Sequence, residues 1–317
     1  MLCGRLRCEI VFVEEARLPP DLAYHLRTVF GRALRRVVCC TPREDCPNCL
    51  LVRRCLYPQF FPPRPVPGSR PVPRGRRDGT PPDSQPLPYV IETPATVPAL
   101  LPRESPFSFH LVLFGRVNDS LPPLIRGLEQ TGHLGLGRGK ERGRFVLSAV
   151  RSKEEVVYPL PGEEKTGDHR PVNLKKELMT AVRSSLIMPS ETVTVRLLTP
   201  LVLGGGETRQ PRLPFPVLIR EAAHRIASLC RAYGMGKPPL DYRGLMIRAR
   251  QVAVASSRLE FDGPSGRQQA GLVGEVTYRG ELAEFLPLLR FCVETHLGRN
   301  TVVGMGRIAV VTDGEGP

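Results

Sequence analysis

Two stretches of the chain spell the same succession of elements, and that repetition limits the fold more than any other feature. RLRCEIVFV (5–13) has the β-branched and apolar content of a strand. Pro19-Pro20 interrupts the chain, and Asp21 stands where a cap is needed for a helix running to about Val38. Leu22, Leu26, Val29, Phe30, Ala33, Leu34 and Val37 recur at helical spacing, with His25, Thr28, Arg32 and Arg36 along the neighbouring face. Residues 89–92 are a candidate strand, 107–117 alternate as a strand, and 119–132 read as a helix capped by Asp119 or Ser120 and stopped by Gly132. A loop rich in glycine and arginine then leads into a strand at 144–150. The second half runs from a strand at 192–198 through Gly204–Gly206 to a helix at 215–233 ended by Gly234. Strands near 251–261 and 271–280, a helix at 281–297, a glycine loop at 298–307 and a last strand, IAVVT, complete it. His133-Leu134-Gly135 and His296-Leu297-Gly298 hold the same place, between the last helix and the last strand of each half.

Each half therefore reads β-α-β-β-α-β, the ferredoxin-like pattern, and the chain is expected to be α+β with two such domains in tandem. The first spans 1–187 and includes a cysteine cluster and a connector at 151–187; the second spans 188–317. Residues 62–88 contain ten prolines and almost no large apolar side chains, too little to order a segment by burial, so they read as a disordered insertion.

Hydrophobic residues make up 41% of the chain, which places it among globular proteins. No apolar run approaches a membrane span and the first residues lack the apolar stretch of a signal peptide, so the expected location is the cytoplasm with no membrane partner. The nine cysteines are an awkward odd number for a secreted protein and read as thiols or metal ligands in a reducing compartment. The net charge of +14, carried mainly by arginine, favours a polyanion, nucleic acid ahead of membrane.

The two glycine loops fit that partner. Glycine lets successive N–H groups line a concave nest for phosphate oxygens, and arginine tracks a phosphate backbone. Arg138, Lys140 and Arg142 populate the first loop; Gly298, Arg299, Asn300, Thr301, Gly304, Gly306 and Arg307 form the second, expected to lie against an RNA backbone. A tight turn with solvated charges is the plainer reading of either loop. Nucleotide-binding fingerprints do not apply, because each loop follows a helix and enters a strand, and Gly139-Lys140 is followed by Glu141 rather than Ser or Thr.

GPSGRQQAGLVGEVTYRGELAEFLPLLRFCVETHLGRNTVVGMGRIAV resembles the CRISPR-associated endoribonucleases of the RAMP superfamily that process precursor CRISPR RNA. LRTVFGRALRRVVC, CPNCLLVRRCLYPQFF and HLVLFGRVNDSLPPLIRGLEQTGHLGLGRGKERGRFVLSAV are similar to further blocks of that family. The resemblance implies tandem RAMP/RRM-like ferredoxin domains, repeat RNA or its crRNA product as ligand, Arg267 as a further RNA contact, and other CRISPR effector subunits as protein partners. It also implies cleavage without metal: the 2′-OH attacks the adjacent phosphate, leaving a 2′,3′-cyclic phosphate and a 5′-OH. The alternative it allows is a non-catalytic subunit that holds repeat RNA.

Such chemistry needs a proton acceptor, a proton donor and charge near the phosphorane. Family enzymes place a histidine on or just after the first helix, and within FGRALRR the corresponding residue here is Arg32. His25, two turns earlier on the same face, becomes the candidate general base; Tyr24 is a neighbouring helper about 100° around the helix, and His296 a candidate beside the second loop. Arg32 and Arg36 are candidate RNA contacts. Separately, Cys40-x5-Cys46-x2-Cys49-x5-Cys55 offers four thiols with a C-x2-C centre, the spacing of a zinc half-site, and Cys39 is a spare. A structural zinc with no chemical part, or a loop of reduced thiols, are the two readings.

Overall fold

The computed structural model describes residues 1–41, 46–62, 85–139, 141–158, 167–174, 191–204, 211–234, 236, 240–263 and 270–313. The chain forms two compact units, one chiefly of Gly4–Pro73 with Leu87–Pro171 and one chiefly of Val172–Pro317. The expected boundary at 187/188 lies outside the described residues, as does most of the proline-rich segment.

In the first unit, β1 (Leu2–Phe12) buries Leu6, Cys8, Ile10 and Phe12 at alternate positions, the period-two pattern of a strand with one core face. A two-residue strand, β2 (Ala16–Arg17), precedes α1 (Leu22–Val38). Asp21 stands at the cap position, yet its carbonyl and not its carboxylate takes the first N–H groups, those of Tyr24 and His25 (3.1 and 3.2 Å). A short α2 (Leu56–Phe60) is followed by β3 (Tyr89–Glu92), at the strand expected there, then β4 (Leu100–Leu101), paired with β2, and β5 (Pro106–Phe114). A 3-10 turn leads into α3 (Leu121–Leu134), whose first turn holds Pro122, where a missing N–H costs nothing. Gly132 was expected to stop this helix; it runs one turn further, to Gly135, whose φ of 74° breaks the helical path. β6 (Phe145–Ser152) and β7 (Glu155–Tyr158) complete the unit.

The sheet order is β3-β5-β1-β6-β7. Its first four strands have ferredoxin-like order, and β7 is an addition at the edge. α1 and α3 pack together, burying Leu26, Phe30 and Leu34 from one and Leu124, Ile125 and Leu128 from the other. Each such side chain contributes about 1.5–3 kcal/mol when withdrawn from water.

In the second unit β8 (Val172–Asn173) pairs with Leu2 and Cys3. β9 (Thr192–Leu201), α4 (Phe215–Ala232), α5 (Tyr242–Ala249), β10 (Ala253–Asp262), β11 (Gly271–Arg279), α6 (Leu286–Thr295) and β12 (Ile308–Thr312) follow. The sheet order β10-β11-β9-β12 is again ferredoxin-like, with Val195 of β9 opposite Val276 and Val310 of its two antiparallel neighbours. α5 has no counterpart in the sequence reading; the Asp241 carboxylate caps it by accepting the Gly244 N–H (3.0 Å). α6 is shorter than expected, and the chain turns at His296 with φ 62°. Arg225 is buried and donates from Nε and Nη2 to the Thr295 carbonyl (3.1 and 2.6 Å), satisfying a C-terminal carbonyl of α6. Burial pushes its guanidinium down to about 10, which leaves it charged at neutral pH.

Candidate functional site

α1 carries three polar residues in one stripe. Arg32 and Arg36 lie seven and eleven positions after His25, each within about 20° of it at 100° per residue. The two arginines are exposed, with no acidic partner among the described residues, while His25 is half-buried. What covers His25 is the first glycine loop: the Gly137 N–H points at its Nε2 across 3.4 Å. That is a long hydrogen bond, of the kind catalytic groups often show before substrate arrives. Tyr24 is half-buried beside it in sequence, and burial raises its phenol above the usual range, so it stays protonated at neutral pH.

The loop reaches His25 because the chain before α1 holds it there. Leu136 and Gly143 pair through both N–H groups (3.0 and 2.9 Å), and the Arg138 carbonyl takes the Glu141 N–H (2.9 Å). Arg17 of β2 exchanges backbone hydrogen bonds with Arg138 and Glu141 (3.3 and 3.2 Å), and its guanidinium pairs with the Glu141 carboxylate at 3.3 Å. Gly137 sits so close that a Cβ there would lie 2.4 Å from the Glu141 carbonyl oxygen. Arg144 is committed elsewhere: its guanidinium and N–H hold Glu14, whose carboxyl these bonds keep below the usual range. Arg138 and Arg142 are exposed, and no acidic side chain pairs with them among the described residues. Lys140 lies outside those residues, as do Arg267 and Gln268.

The C-terminal loop, expected to lie against an RNA backbone, has several N–H groups with acceptors inside the protein. The N–H groups of Arg299, Val303, Gly304 and Gly306 donate to the carbonyls of Val202, Asn300, Thr301 and Pro200 at 2.9–3.1 Å. Arg307 N–H donates to Thr199 Oγ1 (2.8 Å), whose hydroxyl donates to the Gly304 carbonyl (2.7 Å). Those five amides are spent inside the protein. Thr301, Gly304 and Gly306 are buried; Gly298, Arg299, Asn300 and Arg307 are half-exposed, with the Arg299 guanidinium against Gly204. His296 needs correction. Its ring is fully buried with Nδ1 3.0 Å from the Met305 carbonyl oxygen, so it braces the turn and faces no ligand surface. His224 is exposed on α4.

Residues 1–170 match the AF_1859_N family model, an N-terminal domain, and residues 195–308 match the model of the CRISPR-associated endoribonuclease Cas6. The chain belongs to the family of the AF_1859_N model, which spans more than half of it, and its second unit carries a match to the Cas6 endoribonuclease domain. An uncharacterized protein of Archaeoglobus fulgidus is 25% identical over 241 residues, covering 75% of this chain and 72% of its own. Among solved structures, a Cas6 product complex has a TM-score of 0.58 at 16% identity, covering 98% of this chain and 100% of that one. Thermus thermophilus Cas6 has a TM-score of 0.52 at 18% identity, with 98% of each chain covered. A partial Cas6-RT-Cas1–Cas2 complex has a TM-score of 0.56 at 12% identity, covering 98% of this chain and 46% of that one. These likenesses show the shared double ferredoxin-like fold. No described helix is long and apolar enough to cross a membrane.

The expected cysteine set was Cys40, Cys46, Cys49 and Cys55 with Cys39 as a spare. Cys40 is exposed, whereas Cys39, Cys46, Cys49 and Cys55 line one small pocket with Thr41 and Tyr57. Burial pushes the Cys55 thiol up, and the other three sulfurs push it in the same direction. Sequence reasoning held Cys39 only as a spare, whereas it lines the pocket, and it missed the Gly137 amide as the partner of His25.

Proposed function

We propose that this chain binds the repeat segment of a CRISPR transcript and cuts it without a metal ion, with His25 as general base. His25 removes the proton of the 2′-OH just upstream of the scissile phosphate, and the freed oxygen attacks that phosphorus. The 5′-oxygen leaves, taking a proton from solvent or from a donor on the RNA side, and the products are a 2′,3′-cyclic phosphate and a 5′-OH. Arg138 and Arg142 supply positive charge for the phosphorane, and Arg32 and Arg36 continue the basic track along α1.

The observation that carries this reading is the contact between His25 Nε2 and the Gly137 amide. It joins the one histidine of α1 to a loop whose arginines are exposed. An amide N–H can donate only to an unprotonated ring nitrogen, so the contact favours a lone pair at Nε2, the form a general base needs. A substrate hydroxyl would displace the amide, which is then available to a phosphate oxygen. Other CRISPR subunits are the protein partners that fit this role.

Arg32 in the position of the family's histidine favours the second reading, a repeat-RNA-binding subunit that does not cut. One assay separates the two. Repeat RNA incubated with the protein in EDTA is expected to yield fragments ending in a 2′,3′-cyclic phosphate. RNA that stays intact while tightly bound would sink the nuclease reading and leave the binding one.

A further inference from the structure

From Cys39 to Gln59 no described side chain is buried; Leu50 is 98% exposed and Leu51 47%. A stretch of that length without a core needs another staple. Its far end is anchored: Phe60 and Phe61 pack on Phe30 of α1 and on Tyr89 of β3, and the Arg27 guanidinium lies 5.2 Å from the centre of the Phe61 ring. In its middle, what converges is sulfur.

We infer that Cys39, Cys46, Cys49 and Cys55 hold one structural zinc ion, with Cys40 outside the set. The four thiols come from three fixed points around one pocket. Cys39 is the first residue past α1, tied by its N–H to the Arg35 carbonyl (2.9 Å). Cys46-Pro47-Asn48-Cys49 is a 3-10 turn closed by the Cys49 N–H on the Cys46 carbonyl (3.3 Å), which holds the two sulfurs of a C-x2-C knuckle together. Cys55 caps α2, with its N–H on the Leu51 carbonyl (2.9 Å). Four thiolates close the coordination shell, so the ion is structural and offers no position to a substrate.

Among the described residues no group of three or more His, Cys, Asp or Glu side chains is already arranged to hold a metal. Capture must therefore draw the thiols inward, which a segment without buried side chains permits. As each Zn–S bond forms, the thiol proton passes to solvent and no electrons move, so uptake weakens as pH falls. The tetrathiolate complex carries net negative charge; Arg53 and Arg54 in the segment, and Arg35 over the Tyr57 ring (5.9 Å to its centre), offset it. The ion would tie the end of α1 to α2 and hold the helix that bears His25.

The test uses the full chain purified under reducing agent, stripped by a chelator and reconstituted with Zn2+ or Co2+. The expected result is about one equivalent of metal and the tetrahedral thiolate spectrum of cobalt. Cys39→Ser loses both, and Cys40→Ser keeps both. Cys55→His, which retains a zinc ligand, keeps the metal with a shifted cobalt spectrum, and this holds the test open should Cys39→Ser fail to fold. Wild-type chain that takes up no stoichiometric metal would overturn the inference. So would loss in Cys40→Ser with retention in Cys39→Ser, loss in Cys55→His, or disulfides among these four cysteines in the reduced chain.

Discussion

The two glycine loops stand at the same point of two similar units, each after the last helix and before the last strand, yet they differ in the side chains they expose. The C-terminal one turns inward: five of its amides donate to Val202, Asn300, Thr301, Pro200 and Thr199. The N-terminal one also spends amides inside the protein, those of Leu136, Arg138, Glu141 and Gly143, but its Arg138 and Arg142 side chains are exposed. Its base is closed by the Leu136–Gly143 pair, its Gly137 amide meets His25, and a Cβ added at Gly139 would touch nothing within 4 Å. Glycine and arginine content is thus a poor guide to an anion nest. In both loops acceptors within the protein have already taken many of the N–H groups, and what separates them is the exposure of their arginines.

The largest effect that could break this contrast is on chemistry. Removing a general base costs about 10²–10⁴-fold in rate, so His25→Ala should slow single-turnover cleavage of repeat RNA by that order while its affinity barely moves. An unchanged rate would take His25 out of the mechanism. The next effect is on stability. A Cβ at Gly306 would lie 1.8 Å from the Leu297 carbonyl oxygen at a φ of 69°, so Gly306→Ala should cost more than about 2 kcal/mol in denaturant unfolding. Gly139→Ala carries the left-handed strain alone, about 1–2 kcal/mol, and no clash. Equal losses at the two positions would mean the loops are not built differently.

Smaller effects sharpen the N-terminal loop. Arg138→Ala and Arg142→Ala should each weaken RNA binding similarly across sequences and lower the salt slope by about one unit. A slope that does not change would remove them from the phosphate track. Smallest is the anchor of that loop. The Arg144 hydrogen bonds hold the Glu14 carboxyl below its ordinary 4.5, so the pair stabilises the fold above that pH and stops doing so as pH falls through the lowered value. The melting-temperature difference between wild type and Glu14→Gln should therefore be present at neutral pH and shrink on acidification below 4.5. A difference that grows with acid would contradict the assignment.

Much of the fold was legible because it rests on local patterns. α1 follows its apolar stripe to Val38, β3 falls on 89–92, and β12 coincides with IAVVT. α5 was not, since YRGLMIRA has a glycine in its interior and a weak apolar stripe on only eight residues. The site was legible only in its residue types. That Gly306 donates to Pro200, or Gly137 to His25, depends on partners more than a hundred positions away, which no local pattern reports. His296 looked available beside a glycine loop, but its left-handed backbone at the end of α6 turns the ring inward. Cys39 and Cys40 differ by one position past α1, and only the helix end determines which sulfur enters the pocket.

Hydrogen–deuterium exchange of the two loops, with and without repeat RNA carrying a 2′-deoxy sugar at the cleavage position, tests the contrast most directly. Peptides covering 136–142 should gain protection when RNA is bound, while those covering 298–307 exchange at the same rate in both states. Fast exchange at 298–307 that RNA suppresses, with 136–142 unchanged, would contradict the account and return the phosphate nest to the C-terminal loop.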